Sequence, residues 1–307
     1  MGGNVGKRIL ILLALALALA LALVGMFVIA CNDSSEASDA VNTAAPTNPG
    51  PTQVVLGDGP VGVAGSRFTD PDVEINLTAE VVDWDKLDGK TVEIWGYDGQ
   101  YPSPAIRATV GDKVRVNLTN DLPEAATIHW HGLEVPNDQG GVPGITQRGV
   151  QPGETWTYEF IAPKGGTAMY HTHSNTIIQL SKGLFGSLII EPKGGLPQYD
   201  RQYTLMLHEM QGLYPINGHS FPKTLEDDLL KIRTGEKVLL RMINVRQFHH
   251  PMHLHGYQFK LVQLDGNPVT NPIVVNAQDI APGQTVDVEV IGSNPARGFS
   301  TATSSLT

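Results

Sequence analysis

Gly111-Asp112-Lys113-Val114 runs on through Asn120 to His129-Trp130-His131-Gly132, and the pattern returns as Gly235-Glu236-Lys237-Val238, Asn244 and His253-Leu254-His255-Gly256. The spacing from first glycine to first histidine is 18 residues in both copies (129 − 111 and 253 − 235). A second landmark follows each copy, Pro152-Gly153-Glu154-Thr155 and then Pro282-Gly283-Gln284-Thr285. Around these landmarks, residues 73–82, 113–118 and 155–160 alternate apolar and polar side chains, the period of half-buried strands. Helical periodicity is scarce, and the acidic stretch 225–230 is one or two turns at most. The repeat therefore predicts an all-β chain built from two copies of one unit, each about a small sandwich in size.

Working outward, the first unit is expected over residues 58–195 and the second over 196–307, with the boundary at Gly194-Gly195 after the apolar strand 188–190. The 33 glycines and 21 prolines suit many short strands joined by tight turns. With 31 acidic against 21 basic residues and no basic block, nucleic acid is excluded as a partner. Residues 32–57 are rich in Ser, Asp, Ala, Thr, Asn and Pro and poor in large apolar groups, the composition of a disordered tether. At the start, Lys7 and Arg8 precede an apolar run from Ile9 to Ala30 and then Cys31, the pattern of an export signal. Val28-Ile29-Ala30-Cys31 resembles a bacterial lipoprotein cleavage box, which would lipidate Cys31; an uncleaved membrane anchor is the alternative. Both place the folded part in the periplasm or outside the cell, tethered to a membrane. Cys31 is the single cysteine, so no internal disulfide can form.

Seven of the ten histidines fall in three groups: His129 with His131, His171 with His173, and His250 with His253 and His255. Residues two apart on a strand share a face, so each His-x-His pair presents two imidazoles side by side. One such pair is commonly chance or solvent-facing. Three groups, two of them at matched places in a repeat, point to metal ligation. Imidazole suits copper, zinc, iron and nickel alike, so the ligands alone do not name the metal. His250 lies three residues before His253 and faces the other way on a regular strand, although Pro251 favours a bend there. His208, His219 and His249 lack such neighbours and read as surface or ordinary polar residues.

The strings His129-Trp130-His131-Gly132, Tyr170-His171-Thr172-His173 and His250-Pro251-Met252-His253-Leu254-His255-Gly256 resemble three of the four copper motifs of multicopper oxidases. Gly141-Val142-Pro143-Gly144 with Thr146-Gln147, and Gly183-Leu184-Phe185-Gly186, add to the match. The order of motifs is similar to the compact two-domain, laccase-like branch. The resemblance implies tandem cupredoxin-like Greek-key sandwiches and a copper enzyme that oxidises a small reducing substrate, a phenol or a metal ion, while reducing dioxygen to water. It implies type 2 copper on His129 and His253, a type 3 pair on His131, His171, His173 and His255, and His250 as one ligand of a type 1 blue copper. It also implies a homotrimer, with the copper cluster between neighbouring subunits.

The fourth motif, His-Cys-His with a further His, is absent. Pro152 to His171 is 19 residues, and 19 beyond Pro282 falls on Thr301, followed by Ala302 and Thr303. Read one frame over, the codons of Gly298, Ser300, Thr301, Ala302, Thr303 and Thr307 permit Trp, Phe, His, Cys, His and His. The expectation is a frameshifted tail on an otherwise complete oxidase, a truncated second sandwich without its last strand, and little turnover by the chain as written. A copper-binding protein without turnover is the alternative from another class. A copper nitrite reductase would carry cysteine where Thr172 stands, and a zinc site does not account for the repeated context. Asn76 and Asn117 match N-x-T but read as strand residues, and the scattered methionines give no support for a Met-rich copper-resistance role.

Overall fold

The computed structural model describes residues 66–86, 90–220, 223–226, 230–294 and 300–302. The export segment with Cys31, the tether at 32–57 and residues 303–307 lie outside the described residues. No helix among the described residues is long and apolar enough to cross a membrane.

Two β-sandwiches follow one another along the chain. In the first, one sheet has the order β2 (Lys90–Tyr97), β1 (Val73–Lys86), β4 (Lys113–Asn120), β6 (Thr155–Ile161). The facing sheet runs β3 (Ser103–Thr109), β8 (Phe185–Glu191), β7 (Gly166–His171), β5 (His129–His131). In the second sandwich the larger sheet has the order β13 (Asn267–Pro268), β12 (Phe259–Leu264), β16 (Thr285–Ile291), β10 (Lys237–Asn244), β9 (Arg201–Leu207), with β14 (Val274–Val275) also on β12. Its partner sheet is β15 (Ala277–Ile280), β11 (His250–Leu254), β17 (Ser300–Ala302). The sheet that carries β5 thus has four strands, and the sheet that carries β11 has three among the described residues. The acidic stretch holds one helical turn, Lys223–Glu226.

The repeat has a physical cause. Asn120 and Asn244 are both fully buried at the end of β4 and β10. The Asn120 amide donates to the Glu124 and Val150 carbonyls at 2.9 and 2.8 Å, and its oxygen accepts from the Leu122 N–H. Asn244 repeats this with Phe248, Ile280 and Arg246. The backbone of each Asn also receives the turn that follows Pro152 or Pro282, through Gly153 N–H and Gly283 N–H. A buried amide with every donor and acceptor satisfied fixes three chain segments at once.

The two sandwiches differ in what covers their strands. On β4 only Val114, Val116, Leu118 and Asn120 point inward, so burial alternates. On β10 every residue after Lys237 is buried, because its outer face packs on β7 of the first sandwich. Met169 and Phe185 from the first sandwich meet Met206, Ile243 and Val245 from the second in one apolar cluster. Beside it, Arg241 bonds Asp287 and Thr167 at 2.8 Å each, and Thr167 Oγ1 donates to Asp287 at 2.8 Å. Burial pushes the Asp287 carboxyl up to about 6, against the opposing pull of the Arg241 guanidinium. Gly166 passes so close to Gly266 that a Cβ would lie 2.4 Å from the Gly266 carbonyl oxygen, so the two backbones touch.

Candidate metal centre

β5 and β7 lie side by side in antiparallel register, with His129 opposite His171 and His131 opposite Met169. β7 ends at His171, and the chain continues through Thr172 to His173. The four imidazoles therefore face one another across two strands. Ring centroids of His129 lie 5.3 Å from His171, 5.2 Å from His173 and 6.0 Å from His131. The ligand nitrogens of His129, His131 and His171 all lie within 4.8 Å of one another, close enough to hold one ion. His131 Nδ1 is 3.3 Å from His171 Nε2.

Carbonyl oxygens orient the rings. His129 Nδ1 lies 2.7 Å from the Gly140 oxygen, and His171 Nδ1 lies 2.7 Å from the Thr172 oxygen. Both are bonds that a protonated Nδ1 donates, so each ring keeps an unprotonated Nε2 for a metal, that of His171 facing His131. Thr172 turns the other way, fully buried, and donates to Gln179 Oε1 at 2.5 Å; Gln179 Nε2 in turn donates to the Ala125 carbonyl. The His173 N–H donates to Thr127 Oγ1 at 3.1 Å. Gly141-Val142-Pro143-Gly144 supports β5 from outside. A Cβ on Gly141 would sit 1.7 Å from the Ile128 oxygen, so only glycine lets the loop bring the Gly140 carbonyl to His129.

The imidazoles line a cleft of about 370 Å³, closed on other sides by Met169, Leu180, Val245, Arg246, Gln247, Pro282 and Gly283. Its far wall thus comes from the second sandwich. Burial, with smaller contributions from the neighbouring imidazoles, lowers His171 to about 3 and also lowers His129 and His131. Neutral imidazoles with fixed tautomers are a donor set that suits copper without losing a proton first.

The second sandwich places its histidines elsewhere. His253 and His255 stand with ring centroids 5.0 Å apart and do not line the cleft; His255 is exposed, and His253 Nδ1 bonds the Asn276 carbonyl at 2.5 Å. His250 points to the opposite side of β11, into the core, where Nε2 lies 2.8 Å from Glu209 Oε1. β11 runs through Pro251 without a break in register. The register sets Thr301 of β17 opposite His253, as His171 stands opposite His129.

One reading from sequence is corrected here. His208 is not a surface residue: it is fully buried, its pKa lowered by burial to about 3, with Nδ1 2.9 Å from the Tyr101 hydroxyl. His249 is exposed and pairs with Asp279 at 2.6 Å. Gln179, Thr127 and the Gly140 carbonyl were missed as well. Only the glycine pair Gly140-Gly141 carried a signal, a close backbone approach.

Two multicopper oxidase family models match the chain, at residues 78–195 and 197–300. Laccase-15 of Oryza sativa subsp. japonica is 34% identical over 238 residues, covering 66% of this chain and 39% of that protein. Copper resistance protein A of Escherichia coli is 27% identical over 289 residues, covering 74% of this chain and 46% of that protein. The chain thus spans less than half the length of these two relatives. The crystal structure of a blue copper oxidase from Nitrosomonas europaea superposes with a TM-score of 0.69 at 32% identity, over 73% of this chain and 77% of that one. The chain belongs to the multicopper oxidase family, on its laccase-like side, and copper is that family's cofactor.

Proposed function

We propose that this chain is a laccase-like oxidoreductase that couples one-electron oxidation of phenols or metal ions to reduction of dioxygen to water. The observation that carries this reading is the cluster of four imidazoles on β5, β7 and the segment just after β7, with His129 and His171 oriented by the Gly140 and Thr172 carbonyls. His129, His131, His171 and His173 would hold copper, and copper bound there would supply the one-electron steps and the dioxygen chemistry. The chain's own contribution is to keep Nε2 of His129 and His171 unprotonated and to wall the cleft with the apolar Met169, Leu180 and Val245. The exposed His253–His255 pair fits a cluster completed between copies, with type 2 and type 3 copper shared in a homotrimer. His250, held by Glu209, fits one ligand of a type 1 site.

For the 307-residue polypeptide itself a second reading is favoured by one observation: its only cysteine is Cys31, and Thr301 occupies the register position opposite His253. A type 1 site needs a thiolate to tune copper. The polypeptide is then a copper binder with little or no turnover. Copper content, visible absorption and dioxygen uptake with a phenol, Fe(II) or Cu(I) as donor test both readings together. Copper bound at the imidazoles with no blue band and no uptake supports the second. An intense blue band with uptake overturns it, and failure to bind copper overturns both. Export with lipidation at Cys31 is part of the same proposal; mass spectrometry of the mature N-terminus from a bacterial host checks it, and an unmodified Cys31 ends it.

A further inference from the structure

Behind the metal cleft, four aromatic rings run in contact through the junction of the two sandwiches. Phe185 stands opposite His171 across β7 and β8, and belongs to the apolar cluster whose Met169, Leu180 and Val245 also wall the cleft. The Tyr101 ring centroid lies 5.9 Å from Phe185, 5.2 Å from His208 and 5.4 Å from Trp84. Trp84 packs on Tyr101, itself half-buried, and is 7% exposed, with Nε1 donating to the Gly218 carbonyl at 3.0 Å. Centroid separations of this size are those of aromatic pairs in van der Waals contact. Room for the Tyr101 ring is built in, since a Cβ on Gly183 would lie 3.0 Å from two of its ring carbons.

Chemistry sets Tyr101 apart from the other rings. Its phenol is pushed well above the ordinary value, by burial first, so it does not ionise on its own. Removing an electron from a phenol makes its proton strongly acidic, and at a half-buried ring the transfer is fastest to an acceptor already within hydrogen-bond reach. His208 supplies it: fully buried and neutral, with Nδ1 2.9 Å from the Tyr101 oxygen. Neither residue touches the cleft, and the proposed copper sites give neither a role.

We propose that Tyr101 and His208 form a proton-coupled redox pair, the central station of a relay that carries single electrons from Trp84 to the histidine cleft. A one-electron oxidant held in the cleft, which copper at the proposed site would supply, would take one electron from Tyr101. The O–H bond of the phenol breaks and its proton passes to His208 Nδ1, leaving a neutral phenoxyl and an imidazolium. Trp84 then returns one electron to Tyr101 while the proton moves back from His208. A small one-electron donor at the Trp84 surface, a phenol or a metal ion, reduces the indole. The net result is one electron moved from that donor to the cleft, with no atom transferred. The physiological oxidant rests on the proposed copper site. The residue pair does not, and is tested without copper.

The test uses the metal-free full chain, photogenerated tris(bipyridine)ruthenium(III) as the oxidant, and electron paramagnetic resonance with transient absorption as readouts. The expected result is a long-lived neutral tyrosyl signal, formed more slowly in D2O, and largely lost in Tyr101→Phe, which keeps the ring and its packing. Trp84→Phe slows its formation. His208→Phe shortens its lifetime and removes the solvent isotope effect, a change that loss of packing alone would not produce. An unchanged signal in Tyr101→Phe, or no solvent isotope effect in the parent chain, overturns the pair. Unchanged kinetics in Trp84→Phe overturns the relay leg. Because no copper is present, each outcome is independent of whether the cleft binds it.

Discussion

β5 and β11 are the same strand of a duplicated unit, each carrying the first histidine of a His-x-His pair nine residues past a buried asparagine (129 − 120 and 253 − 244). Their surroundings diverge. β5 lies beside β7, which brings two more imidazoles, and His129 is oriented by a loop carbonyl. β11 lies beside β17, whose register residues are Ser300, Thr301 and Ala302, and His255 just beyond it is exposed. A motif thus supplies two ligands and a direction. The neighbouring strand decides whether a four-imidazole cluster results. The same holds for the strands before them: Asn117 on β4 and Arg241 on β10 occupy equivalent places, yet Asn117 sits on a polar outer face while Arg241 is buried against the other sandwich.

The largest effect that would break this comparison is expected at Arg241. Arg241→Met leaves Asp287 without its partner in the junction and should cost about 3–5 kcal/mol at pH 8, against no more than about 0.5 kcal/mol for Asn117→Ala. Urea denaturation of both variants checks this. The cost should shrink on acidification. A carboxyl whose folded pKa lies above its unfolded value is best tolerated below the unfolded value, and stability falls as pH rises through the folded one. Asp287 stands at about 6 even with Arg241 present, so the variant should recover toward pH 5. A pH-independent loss would contradict the assignment.

Next in size is the contrast between ligand strands. His171→Ala should weaken copper binding by at least about 100-fold in a chelator competition, whereas His253→Ala should change it by less than about threefold in dilute protein. Equal losses would mean that β11 already contributes within one chain. Smaller again is the glycine pair. Gly153 and Gly283 share a φ of +78°, but a Cβ at Gly283 would lie 3.1 Å from His131 Cε1 while none meets anything at Gly153. Both substitutions to alanine should cost about 1 kcal/mol from the left-handed backbone. Only Gly283→Ala should also weaken copper binding, through the displaced His131 ring. The smallest effect is Gln179→Leu, which removes the acceptor of the Thr172 hydroxyl between His171 and His173 and should lower copper affinity by about threefold, since it acts through Thr172 and not on a ligand.

Much of this was legible in the chain because it is written in short spacings. Strand alternation at 113–118 and 155–160 became β4 and β6, and the two-residue spacing of His129 and His131 placed both rings on one face. What escaped depends on contacts between distant residues. Arg241 has nothing beside it in sequence that marks it as buried; its cover comes from β7 of the other sandwich. His208 reads as an isolated polar residue until Tyr101, 107 positions earlier, meets it. Gln179 carries no signal of its own in the sequence, and only the fold aims it at Thr172.

The buried asparagines also say where this architecture can be rebuilt. Between the His-x-His glycine and the next Pro-Gly turn the two copies differ in length, 20 residues in one and 26 in the other (152 − 132 and 282 − 256). The stretch from asparagine to histidine holds the same length in both, because one amide ties its beginning to its middle and to the turn beyond. Grafts, tags or binding loops belong in the exposed stretch 270–273 of the longer copy, because the interval after Gly132 carries the Gly140 carbonyl that orients His129. A single residue inserted between Asn120 and His129 would rotate the donor set out of the cleft.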